Sequence, residues 1–187
     1  MATREEQIRA NTIGEPKVLT GLIVVSDYDP AWPSLFEREA SRIRAALGDR
    51  VKLLEHAGST SVVGLPAKPL IDMILALPDS SDESTYVPDL EAAGYVLRIR
   101  EPHWFEHRVF KGPDTDVNLH VFAADSPEIV RMLAFRDRLR SNDDERARYQ
   151  ATKRELAAGE WTYVQDYADA KGEVVEEIIA RALAGEG

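Results

Sequence analysis

VKLLEHAGSTSVVGLPAKPLIDMILAL, residues 51–77, is the stretch whose reading decides the fold. Val51 to Ala57 reads as a strand, and GSTSVVGLPAKP, rich in Gly, Ser and Pro, as the loop that follows it. Leu70 to Leu77 (LIDMILAL) is almost wholly apolar, as expected of a strand covered on both faces. Its one charged residue is Asp72. A buried, unpaired carboxylate costs several kcal/mol, so something must neutralise it: a metal, a cation such as Lys68, or backbone donors. Ser59 stands thirteen positions earlier, in a turn of small residues (Gly58, Ser59, Thr60, Ser61). Such a turn lets N–H groups and hydroxyls approach an anion closely. Strand, Gly-Ser turn, then a carboxylate on the next strand is a sensible way to hold a triphosphate beside magnesium, which takes few carboxylates plus phosphate oxygens. The bland alternative is a structural turn in which Ser59 and backbone satisfy Asp72.

Outward from this stretch the chain changes character once, near Ser126. Before it, β-rich runs alternate with helices. Leu22 to Ser26 (LIVVS) reads as a strand. Asp29 and Pro30 then open a helix with Trp32, Leu35, Phe36, Ile43 and Leu47 on one stripe and Gly48 at its end, so Trp32 and Phe36 are core anchors. A helix is expected between Asp82 and Ala93, stopped by Gly94, then a strand over Tyr95 to Ile99. Trp104 to Phe110 and Val117 to Phe122 read as a hairpin across KGPDTD. From Ser126 and Pro127 the chain reads as helix, restarting at Asn142 and again near Thr162, with Gly172 a weak point before Leu183. The expected organisation is an N-terminal extension (1–19), an α+β core with a mixed sheet flanked by helices (20–125), and a C-terminal cap of three helices (126–187).

Composition narrows the partners. The 187 residues include 33 acidic and 23 basic ones, a net charge of -10, which works against bulk nucleic-acid binding. With no cysteine, disulfides, thiolate metal sites and cysteine nucleophiles are excluded. No apolar run nears the ~20 residues that span a bilayer, and MATREEQIRA carries no hydrophobic signal region, so a cytoplasmic protein without membrane contact is expected. Composition leaves the oligomeric state open.

Two further regions carry candidate chemistry. Along Asp116 to Phe122, alternation puts Asp116, Asn118 and His120 on one face and Val117, Leu119 and Val121 on the other. If this strand lies beside that of Asp72, aspartate and imidazole enter one pocket, where they could bind a divalent ion or His120 could serve as a general base. On the opposing strand Trp104, Glu106 and Arg108 are expected to share a face. His56 reads as a packing or loop-orienting residue, and His103 and His107 are not expected to be ligands. In the helical half, Tyr149 and Lys153 share a helix face, as do Tyr163, Tyr167 and Lys171.

The stretches 28–49 (YDPAWPSLFEREASRIRAALGD), 55–75 (EHAGSTSVVGLPAKPLIDMIL), 133–157 and, more loosely, 167–178 resemble the GrpB family, whose members are regarded as nucleotidyltransferase-like. The likeness spans about residues 20–180. It implies a nucleotidyltransferase-like sheet in which Gly58 and Ser59 match the superfamily's Gly-Ser pair and Asp72 its first carboxylate. It also implies a nucleoside triphosphate as substrate with Mg2+ or Mn2+ on Asp72, Asp116 and His120. Gly58, Ser59, Thr60, Ser61, Lys68 and Arg108 would contact the nucleotide, with Arg136, Lys153 and Lys171 adding phosphate contacts from the helical half. The superfamily's second carboxylate falls at Ile74, a departure that resembles a family trait. Three readings follow: nucleotidyl transfer to a small molecule or protein, a non-catalytic nucleotide- or ligand-binding regulator, or another ATP-linked ligase or transferase.

Overall fold

In the computed structural model, residues 3–16, 23–159, 161 and 163–185 are described. Five strands form one mixed sheet: β1 (Leu53–Ala57), β2 (Ile71–Leu77), β3 (Val96–Glu101), β4 (His107–Lys111) and β5 (Val117–Ala123). Their spatial order is β1-β2-β5-β4-β3. β2 and β5 run parallel, and the other neighbours antiparallel. Both strands that carry the candidate acid and imidazole are therefore interior, and they are adjacent.

Strand alternation gives the sheet two unlike faces. On one, Met73, Leu75, Leu77, Phe110, Val117, Leu119 and Val121 pack under α2 (Trp32–Leu47) and α3 (Val87–Ala92), in a core that includes Trp32, Phe36, Ala40, Ile43, Leu47 and Leu90. The apolar stripe of α2 is thus wholly spent on this core, and Asp29 closes the turn into it by accepting the N–H groups of Ala31 and Trp32. On the other face Ala57, Ile74, Ala76 and Phe122 meet Ile129 of α4 (Pro127–Ser141). Asp72 and His120 lie on this second face, beneath the C-terminal helices.

Those helices are α4, α5 (Asp143–Ala157), α6 (Val164–Ala170) and α7 (Gly172–Ala184). Phe135, Leu139, Tyr149, Val174, Ile178 and Ile179 form their core, and Val62 and Leu65 of the loop between β1 and β2 insert into it. The cap therefore grips the Gly-Ser loop as well as the sheet. α1 (Arg4–Asn11) begins with a capping box between Thr3 and Glu6 and docks on β3 through a bridge from Thr12 to Ile99.

Several expectations need correction. The run 22–26 is not a sheet strand. Leu22 lies outside the described residues, and Ser26 forms only a bridge to Ala67, while Ile23 packs with Ala157 and Tyr167. Its β-branched side chains are used to strap the loop to the cap. Among the described residues the cap has four helices, because the last one breaks between Ala170 and Gly172; its expected start at Thr162 lies outside the described residues. Ser126 sits at the N-cap of α4, yet its hydroxyl caps nothing. The hairpin strand starts at His107: Trp104 to Glu106 form a turn, with Phe105 and Glu106 at φ 53° and 49°.

Candidate functional site

Gly58 ends β1 at φ 64°, in the left-handed region that favours glycine. A Cβ at this position would stand 2.4 Å from Oδ2 of Asp72. Glycine is required there for two independent reasons, and both bring the turn against the carboxylate.

Asp72 is held from β5. Its Oδ1 accepts from Nδ2 of Asn118 at 3.1 Å and lies 3.4 Å from Nε2 of His120. Burial pushes the carboxyl up, but its contacts with His120 and Asn118 and the charge of Lys171 outweigh it and hold Asp72 below the ordinary aspartate range. Val117 and Leu119 face the opposite core, so the β5 register is the expected one. The acceptor role expected of Asp72 toward Ser59 is not what the structure displays: its partners are Asn118 and His120.

From His120 a hydrogen-bonded line continues across the sheet. Nδ1 of His120 lies 3.0 Å from Nε2 of His107, and Nδ1 of His107 lies 2.7 Å from Oε2 of Glu101. Asn11 of α1 donates to the other oxygen of Glu101 at 3.1 Å. Register explains the alignment. Glu101 pairs with His107, and Val109, two residues on, pairs with His120, so the three side chains share a face with Asp72. Four strands thus contribute one residue each: Glu101, His107, His120 and Asp72. Burial drives the His107 pKa down to about 4 against the opposing pull of Glu101, and Phe122 stacks on its ring at 4.6 Å. Burial pushes the Glu101 carboxyl up, yet hydrogen bonding to His107 prevails and keeps it below its usual range.

Above Asp72 and His120 lies a cavity of about 210 Å³ roofed by Met132, Phe135, Val175 and Ile179. Two lysines of the cap bear on this region. Lys153 is buried, with Nζ 2.5 Å from the Pro66 carbonyl and 4.9 Å from the centre of the Tyr149 ring. Burial, with the charges of Lys171 and Arg154, lowers its pKa to about 7. Lys171 sits at the junction of α6 and α7, its Nζ 4.5 Å over Tyr167.

Other expected site residues are engaged elsewhere. Oγ1 of Thr60 donates to the Leu70 carbonyl and, with its one proton so committed, accepts from Nε2 of His56 at 3.0 Å. His56, stacked on Phe36, therefore orients the loop as expected. Ser61 donates to the Gly58 carbonyl, which closes the turn. Lys68 is half-buried in the loop before β2. Arg108 pairs across with Val121, which places it on the face opposite His120, where it binds Glu83 and Glu106. Arg136 clamps α4 to β1 through Glu55 and the His56 carbonyl. It lines a larger cavity of about 650 Å³ beyond the Gly58–Ser61 turn, where Arg136, Arg140 and Arg146 are tied to Glu55, Asp137, Asp143 and backbone carbonyls.

The expected metal triad fails a geometric test. Asp116 turns to Lys111 at 3.4 Å, and among the described residues no group of three or more His, Asp or Glu is arranged to hold an ion. The slot of a second carboxylate is filled by Ile74, buried against Ile129 of α4. A resident two-ion centre, which needs clustered carboxylates, does not fit these residues.

Sequence reasoning missed Glu101, His107 and Asn11. All of β4 from His107 to Phe110 is buried, so no alternation of polar and apolar residues marked the face on which His107 lies.

Comparison with known proteins agrees with this architecture. The chain is 58% identical over 180 residues to a UPF0157 protein of Halalkalibacterium halodurans, covering 96% of this chain and 92% of that one. A UPF0157 protein of Streptomyces coelicolor is 42% identical, covering 96% and 93%. The crystal structure of the conserved protein GrpB from Enterococcus faecalis superposes with a TM-score of 0.77 at 32% identity, over 87% of this chain and 98% of that one. With the GrpB protein family model matching residues 22–181, the chain belongs to the GrpB family.

Proposed function

We propose that the cleft between the second sheet face and the cap binds the phosphates of a nucleoside triphosphate, and that the protein transfers the nucleotidyl group to a hydroxyl or amine acceptor. The observation that carries this reading is the pair Lys153 and Lys171. Lys153 is buried against the Tyr149 ring and Lys171 lies over Tyr167; burial first, and then the charge of Lys171, lowers the Lys153 pKa to about 7, and an anion bound near the two would offset that desolvation and repulsion. The Gly58–Ser59 turn, whose Gly58 lines the cavity over Asp72, offers N–H and hydroxyl groups to an anion.

In this reading His120 Nε2 takes the acceptor's proton as the acceptor oxygen or nitrogen bonds to the α-phosphorus. Pyrophosphate leaves toward the lysines, and Asp72 stabilises the imidazolium. No step is assigned to a resident metal, because its ligands are not assembled. The nucleotidyltransferase-like character of the fold belongs to this proposal too: Gly58, Ser59 and Asp72 occupy the expected strand-turn-strand positions. Ile74 and the Asp116–Lys111 pair favour a second reading, a nucleotide-binding regulator without turnover.

Melting curves of wild type and Lys153→Met with nucleoside triphosphates, each with magnesium or with a chelator, test the binding claim. A ligand at about 100 times its Kd stabilises by about 2.7 kcal/mol, so the wild type should melt several degrees higher and the variant should lose most of that gain. No response to any nucleotide, or an undiminished response in the variant, overturns the reading. Release of pyrophosphate when acceptors are added separates transferase from regulator.

A further inference from the structure

We propose that Glu101 and His107 are positioning residues of the site, which fix His120 in the tautomer that carries its proton on Nδ1 and leaves the Nε2 lone pair facing Asp72 and the cavity. The inference follows from counting protons along a line whose distances are 2.7, 3.0 and 3.4 Å. A carboxylate only accepts. Glu101 therefore takes the Nδ1 proton of His107, and a neutral His107 is left with an acceptor at Nε2. That acceptor takes the Nδ1 proton of His120, and neutral His120 then has no proton for its contact with Asp72. Two neutral imidazoles supply two protons to three links. The unfilled link is the one that opens on the cavity, and its length of 3.4 Å is the slackest of the three.

The line thus leaves one proton vacancy, and it places that vacancy where an acceptor's proton can be received. When Nε2 binds that proton, the imidazolium lies between Asp72 and, through His107, Glu101. Nothing need travel along the line: the acceptor's O–H or N–H bond breaks, Nε2–H forms, and Nδ1–H stays where it was. Without the line, the tautomer favoured beside Asp72 is the opposite one, with Nε2–H donating to the carboxylate and no base available. Phe122 and Trp104 pack on the His107 ring, and Asn11 holds Glu101 from outside, so the order of the line is built in before any ligand arrives.

The function of the tautomer rests on the reading of His120 as base, but its existence does not, and the experiment separates the two. Long-range proton–nitrogen spectra of 15N-labelled full-length protein, without nucleotide, report which nitrogen of each of its four histidines bears a proton. At about pH 9, above the ordinary imidazole range, His107 and His120 should both show Nδ1–H with unprotonated Nε2. His107→Phe keeps an aromatic ring in the stack and removes the acceptor, and should switch His120 to Nε2–H. Glu101→Gln, whose amide oxygen still accepts, should keep the wild-type tautomer, whereas Glu101→Leu should not. A wild-type His120 protonated at Nε2 at that pH overturns the proposal even if every variant fails to fold. So does a His107→Phe protein that folds with the tautomer unchanged. A correct tautomer in a protein that binds no nucleotide would leave this inference standing and remove only the reading of function.

Discussion

The two faces of the sheet are made from the same strands and obey different rules. Toward α2 and α3, β2 presents Ile71, Met73, Leu75 and Leu77 and β5 presents Val117, Leu119 and Val121, an unbroken apolar surface. Toward the cap, the alternate residues begin with Asp72 and Asn118, pass through His120 beside Ile74, and become apolar again at Ala76 and Phe122. Across β2 and β5 the first face gains its stability from apolar burial, and its charge, Arg108 with Glu83, stands on β4. The other admits charge in a diagonal line across four strands, besides Glu55 held by Arg136 on β1, and an apolar border seals it on the side where a second metal ligand would have stood. Substitutions on the first face should therefore be felt in stability, and those on the second mainly in ionisation and ligand response.

The largest effect is expected from Phe110→Ala, which empties a fully buried site on the first face. Phe→Ala in a core costs about 3–5 kcal/mol, measurable as a lower urea midpoint. A loss below about 1 kcal/mol would mean that this face is not the stabilising one.

Asp72→Asn probes the second face. Its carboxyl is held below the ordinary range in the folded state, so its contribution is present above the unfolded value, near 4, and fades as pH falls through the folded one. The variant should be less stable at neutral pH by about 1–2 kcal/mol, and the gap should close on acidification. A variant more stable than wild type at neutral pH would show that desolvation, not the pairing with Asn118 and His120, governs the residue.

The smallest effect belongs to Asp116→Asn. This aspartate makes a half-exposed pair with Lys111, of the kind worth about 0–1 kcal/mol. Its melting curve and nucleotide response should both overlay those of wild type, whereas loss of a magnesium-dependent response would restore Asp116 to the site.

Local signals carried much of this arrangement. The Gly-Ser turn, the apolar β2 and the alternation of β5 stand in the sequence because each needs only neighbours two or four residues away, and Gly172 marked the break between α6 and α7 for the same reason. What escaped were properties of pairing. His107 enters the site only through the register of β3, β4 and β5. Arg108 and Arg136 leave it because Glu83 and Glu55, distant in sequence, claim them first. The run 22–26 has the local character of a strand, yet Ile23 packs on the cap and Ser26 bridges to Ala67 of the loop instead of joining the sheet.

The contact between Gly58 and Asp72 has a consequence for descent. With 2.4 Å between a prospective Cβ and the carboxylate oxygen, position 58 cannot gain a side chain while the acid is kept. Any side chain at 58 demands a shorter residue at 72 and also a different backbone at the turn. A lineage could give up the acid and keep the glycine, but one that gave up the glycine would lose the acid's place. The glycine of the turn is thus tied to the acid of β2: wherever the acid stands in this geometry, the glycine must stand too.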